Sequence, residues 1–110
     1  MANVSVVAVV PYLIMKAAAM GRGKAKDAYD IYFLLKHYRG GGKELAKEFQ
    51  PAGNRRLVQE MKEKLSGKFA SADHAGPKDV ADFLGLDDDE DVELIKRDAY
   101  EQVQALLNLV

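Results

Sequence analysis

Cysteine is absent, so no disulfide framework and no thiolate metal site can form. Net charge is nearly absent too, at -1, which leaves no overall field to recruit nucleic acid or an anionic membrane. The longest apolar run, Val4 to Met15, is broken by Ser5 and Pro11, and it is too short to span a bilayer. It has no basic leading segment and no convincing cleavage pattern, so it is not read as a signal peptide; the expected location is cytoplasmic. No serine stands in a nucleophile turn, and neither G-x-x-x-x-G-K-[ST] nor G-x-G-x-x-G occurs. His37 and His74 are isolated from carboxylates at ligand spacing, so no zinc site is expected.

What is present is ordinary in bulk and uneven in detail. The 110 residues are 48% hydrophobic and 30% charged, as in a soluble globular protein, and their length suits a single domain over 1–110. Residues 16–43 hold seven Lys or Arg against two Asp, whereas residues 73–98 hold ten Asp or Glu against three Lys or Arg. The simplest account is that the two halves attract each other when packed.

The fold class expected is mainly α, five to six helices with one N-terminal β-strand. The strand is read from Val4-Ser5-Val6-Val7-Ala8-Val9-Val10, β-branched and closed by Pro11. No second strand of similar quality follows, and a lone strand leaves its backbone groups unpaired. Pairing across a homodimer, or with a partner chain, is therefore expected, because an exposed apolar edge must be covered.

Helices are expected from Pro11 to Met20, from Lys26 to Tyr38 and from Lys43 to Phe49. Another runs from an Asn54 cap to a stop at Gly67, a fifth from Pro77 to Leu84, and the last from the acidic run 87–91 to the end. Their buried stripes are Ile31, Leu34, Leu35 and Tyr38; Leu57, Val58, Met61 and Leu65; and Val92, Ile95, Ala99, Val103, Leu106, Leu107 and Val110. Asp87-Asp88-Asp89-Glu90-Asp91 reads as a helix start, favourable to the macrodipole, and lacks the glycine and glutamate of a calcium loop. Tyrosines 12, 29, 32 and 38 fall at core-edge spacing and are read as packing, not as a stacking platform.

Chemistry concentrates in Lys16 to Leu35. Lys16 closes an apolar helix; Arg22, Lys24 and Lys26 follow around two glycines; Asp27 and Asp30, three apart, share a helix face. A basic turn feeding a helix with two early carboxylates suits a phosphate-facing corner. It equally suits a structural one, in which Lys16 ends a helix and Asp27 caps the next.

Three segments, Pro11-Tyr12-Leu13-Ile14-Met15-Lys16, Gly21-Arg22-Gly23 and Lys26-Asp27-Ala28-Tyr29-Asp30-Ile31-Tyr32-Phe33-Leu34-Leu35, together resemble the AbiEii/AbiGii toxin type of nucleotidyltransferase, in the DNA-polymerase-β-like superfamily. Phe69 to Asp73 and Gly76 to Leu84 are similar to its later helical part. The resemblance implies Lys16 and Asp27 in the active centre and Lys16, Arg22, Lys26 and Asp30 toward substrate phosphates. It also implies NTP and Mg²⁺ as cofactors. The superfamily holds Mg²⁺ on paired carboxylates after a Gly-Ser turn, and this sequence contains no Gly-Ser pair. The chain therefore resembles the C-terminal half of such an enzyme. It is expected to be inactive alone, to bind no metal itself, and to use NTP and Mg²⁺ only if a partner chain supplies the metal carboxylates. A tRNA-like acceptor would fit the family but finds no support in the net charge. The alternative is a non-enzymatic helical interaction protein that dimerises through its N-terminal strand, with Lys16 and Asp30 as a structural ion pair.

Overall fold

The computed structural model describes residues 9–20, 25–49 and 55–110, all of them helix or short connection. Six helices follow in order: α1 Val9–Ala19, α2 Ala25–His37, α3 Gly41–Lys47, α4 Arg55–Lys68, α5 Ala75–Leu84 and α6 Asp89–Leu109. Among the described residues there is no strand, and none of the helices is long and apolar enough to cross a membrane.

The expected N-terminal strand is corrected at its end. Val9 and Val10 are the first residues of α1, and both are buried. Residues 4–8 lie outside the described residues. The β preference of two valines is a fraction of a kcal/mol each, and burying them against the helical core outweighs it. Pro11, third in α1, sits in the first turn, where its missing N–H has no partner to lose. A strand-paired dimer would thus have to do without Val9 and Val10.

Helix α2 is the hub. It packs against α1, α3, α5 and α6, while α4 closes the core against α1, α5 and α6. Its inward face is Ala28, Ile31, Tyr32 and Leu35, the rhythm of an amphipathic helix. The same rhythm brings in Val10, Leu13 and Ala17 from α1, Met61 and Leu65 from α4, and Ala99, Val103 and Leu106 from α6. Val80 of α5 and Leu45 of α3 complete one continuous cluster to which every helix contributes. Leu57, expected in the α4 stripe, is instead exposed.

Two glycines are fixed by geometry. Gly85 ends α5 in the left-handed region at φ 64°, its N–H donating to the Ala81 and Asp82 carbonyls, the usual glycine closure of a helix. Gly76, inside the first turn of α5, lies against the fully buried Phe69, and a Cβ there would stand 2.6 Å from the ring. The acidic run opens α6 as expected: Asp88 caps it, Oδ1 accepting from the Glu90 N–H at 2.8 Å.

Candidate functional site

Lys16 lies one turn from the end of α1, and Asp27 and Asp30 lie in the first two turns of α2. The packing of α1 on α2 brings them together. Lys16 Nζ is 2.7 Å from Asp30 Oδ2 and 3.2 Å from Asp27 Oδ1, and Lys26 Nζ reaches the same Asp30 oxygen at 2.9 Å. The ammonium of Lys16 also lies 5.6 Å from the centre of the Tyr12 ring, within cation–π range. Lys16, Asp27 and Asp30 keep only 12–15% of their side-chain surface, whereas Lys26 keeps 64%. The corner is thus two mostly buried carboxylates clamping one mostly buried ammonium, with a second ammonium at the solvent edge.

Electrostatics follow from that clamp. The hydrogen bond to Asp30, seconded by Asp27, raises the Lys16 ammonium above its ordinary value. Burial pushes the Asp30 carboxyl up, but the bonds from Lys16 and Lys26 outweigh it and hold the group below its ordinary value. Two carboxylates set against two ammoniums leave the corner electrically balanced.

Of the residues expected from sequence, Lys16, Lys26, Asp27 and Asp30 converge; Arg22 lies outside the described residues. Asp27 stands third in α2 instead of capping it from outside. The two carboxylates do not fit Mg²⁺ as they stand. Each is already bonded to an ammonium, while the ion needs a near-octahedral set of oxygen donors. Among the described residues no group of three or more His, Asp or Glu is placed to share a metal ion. His37 packs on Phe33, and His74 bonds Ser71.

Two polar clusters escaped the sequence reading. Asp98 of α6 accepts from the Tyr32 hydroxyl at 2.5 Å and from Lys36 at 3.0 Å, with Gln102 on its other oxygen at 3.4 Å. Lys96, buried, bridges Asp73 at 2.9 Å and Glu93 at 3.0 Å. Lys36–Asp98 joins the basic and acidic halves directly, as their opposite charges suggested. A signal for Asp98 was available. Arg97-Asp98-Ala99-Tyr100-Glu101 repeats the pattern basic-Asp-Ala-Tyr-acid of Lys26-Asp27-Ala28-Tyr29-Asp30. In both copies the alanine is fully buried and the aspartate takes a lysine from another helix.

No protein-family model, no curated protein and no solved structure matches the chain.

Proposed function

We propose that the chain is a nucleotidyltransferase-like helical domain of the AbiEii type, and that the Lys16–Asp27–Asp30–Lys26 corner is its phosphate-facing half-site. One observation carries the reading. Lys16, from a different helix, meets both carboxylates of the K-D-x-x-D segment within 3.2 Å. In this role Lys16 is the point cation toward the nucleotide phosphates, and Lys26, the exposed member, makes the outer contact. Asp30 holds the two ammoniums in place. Asp27 keeps one carboxylate oxygen, Oδ2, outside any hydrogen bond among the described residues, and it is the group placed to orient Lys16 or take a proton from an acceptor hydroxyl. Arg22, between α1 and α2 in the sequence, would add a further phosphate contact.

The half-site is incomplete. Mg²⁺ supplies charge stabilisation to phosphoryl transfer, and its carboxylates would come from a partner chain. Alone, the domain transfers nothing and at most binds nucleotide weakly. The second reading is a non-enzymatic interaction protein, in which the corner is only a latch of α1 on α2; the balanced charges of the four side chains favour it.

Amide NMR titration with each of the four NTPs and Mg²⁺ decides between them. Shifts clustered on Lys16, Lys26, Asp27 and Asp30 are the expected result. An unchanged spectrum at millimolar nucleotide would overturn the half-site and leave the latch.

A further inference from the structure

The solvent face of α2 continues beyond the corner. Lys26, Asp30, Phe33 and His37 stand at i, i+4, i+7 and i+11, one face of one helix. Two pairs along it touch: Lys26 bonds Asp30 at 2.9 Å, and the Phe33 and His37 rings lie 4.3 Å apart. Beside them Tyr29 lies 5.9 Å from Phe33 and stacks on Phe83 of α5 at 4.6 Å, with ring planes 26° apart. Phe33 and Phe83 are nevertheless 49% and 44% exposed. A group of four rings, with Phe33, His37 and Phe83 exposed and Tyr29 partly buried beneath them, thus begins where the charged corner ends.

The charge around this row is directional. In the pairs Lys26–Asp30 and Lys36–Asp98 the lysines are the exposed partners, at 64% and 40%, and the aspartates the more buried ones, at 14% and 30%. Solvent therefore meets cations beside aromatic faces. A second copy docked on this row would oppose lysine with lysine. An anionic ligand with a flat apolar part complements both features. From Lys26 to Phe33 the helix rises about 10 Å, so one ligand can reach from the ammoniums to the rings only if it carries charge and ring at opposite ends.

We propose that the Tyr29–Phe33–His37 row, backed by Phe83, is a platform for the nucleobase of a nucleoside phosphate whose phosphates lie at Lys16 and Lys26. The inference rests on the half-site reading and adds the base-binding surface to it. Bases stack on aromatic faces with little regard to sequence, while the ammoniums hold the phosphates. The nucleobase comes either from a free NTP or from the end of a single-stranded RNA.

The test compares ligands with and without a base. The intact chain is titrated by NMR with inorganic tripolyphosphate, with ATP, CTP, GTP and UTP, and with hexauridylate, following the Phe33 and His37 ring signals. Nucleotides are expected to bind more tightly than tripolyphosphate and to shift those rings. Phe33→Ala should weaken nucleotide binding about 5- to 100-fold and leave tripolyphosphate binding unchanged. Phe33→Leu, which keeps the apolar bulk, should unfold at the wild-type temperature and still lose the nucleotide preference. Ring-dependent binding of hexauridylate beside the NTPs supports the platform and shows that an RNA end can use it, whereas binding of hexauridylate but of no NTP overturns it together with the half-site on which it rests. If nucleotides bind no better than tripolyphosphate, and Phe33→Ala changes neither, the platform falls while the phosphate corner stands. Binding of none of the three classes overturns both.

Discussion

Asp30 Oδ2 lies 2.7 Å from Lys16 Nζ across the α1–α2 contact, and the same oxygen takes Lys26 at 2.9 Å. Asp27, by contrast, has Lys16 alone among the described residues. Loss of Lys16 therefore leaves Asp30 with a cation and strands Asp27. Lys16→Met, which keeps the apolar stem, should cost about 2 kcal/mol, between the value of an exposed pair and that of a fully buried one. Asp27→Asn in the Lys16→Met background should recover part of that loss, because the stranded charge is gone. Urea unfolding of Lys16→Met, Asp27→Asn and the double variant measures these numbers. Additive losses would show that Asp27 does not depend on Lys16.

The same clamp sets a pH dependence. Asp30 titrates below its ordinary value of 3.8 when folded, so its contribution is complete above that value. It is lost as pH falls through the lower folded value. Lys16, raised above 10.5, contributes fully below that value and loses its part only as pH climbs through the higher folded one. Between these limits the corner is pH-independent. Asp98 and Asp73 are held below their ordinary values as well, so acid unfolding of the wild type sums several groups. Comparing urea midpoints of wild type and Asp30→Asn isolates one of them: the gap should be constant from about pH 5 to 9 and narrow below pH 3.8. A gap that narrows instead between about pH 7 and 9 would contradict the assignment.

Tyr32 reports the other α2 clamp. Burial first, then the bond to Asp98, pushes its hydroxyl well above the ordinary tyrosine range. Tyr32→Phe removes a donor to a charged acceptor that retains Lys36 and Gln102, so the loss should be about 1.5 kcal/mol, not the larger cost of an abandoned carboxylate. Adding Lys36→Met to Tyr32→Phe should then cost more than Lys36→Met costs alone, since Asp98 loses both strong partners. A double-mutant cycle measures that coupling.

These clamps mark the border of what the sequence could disclose. The stripes Ile31–Leu35, Met61–Leu65 and Ala99–Val103–Leu106 were legible because helical burial has a local period. The acidic start of α6 was legible because capping is local too. Lys16 and the K-D-x-x-D carboxylates were singled out, but their meeting depends on how α1 crosses α2, which no spacing within one helix states. Lys96 and Asp98 sit amid ordinary helix, and beside the local Glu93 and Gln102 their partners come from the α5 approach and from α2. Val9 and Val10 misled because strand propensity is weak beside burial. Gly67 misled similarly: the expected stop lies inside α4, which runs on to Lys68. A glycine costs a helix about 1 kcal/mol, and the fully buried Phe69, whose N–H still bonds the Leu65 carbonyl at 2.9 Å, repays more than that. The reading of the tyrosines as packing holds for buried Tyr32 and for Tyr29 and Tyr38, partly buried against the core; Tyr29 also stacks on Phe83, a contact no helical stripe states because Phe83 comes from α5.

Phe69 also gives the sharpest test of the core. Its ring fills the space above Gly76 so closely that an added Cβ would stand 2.6–2.7 Å from three ring carbons. Because Phe69 is fully buried, the ring cannot swing into solvent, and α5 must shift or the ring must leave its rotamer. Gly76→Ala should therefore destabilise by about 1–3 kcal/mol, despite the better helix propensity of alanine. For a chain of this length that is a fall in Tm of about 4–15 °C. Phe69→Leu alone should also destabilise, by opening a cavity. Combined, the two changes should cost less than their sum, since the smaller side chain makes room for the new methyl. Thermal unfolding of the four proteins completes the cycle. An additive double mutant would mean that Gly76 and Phe69 do not touch, and with it the packing of α5 on the end of α4 would have to be redrawn.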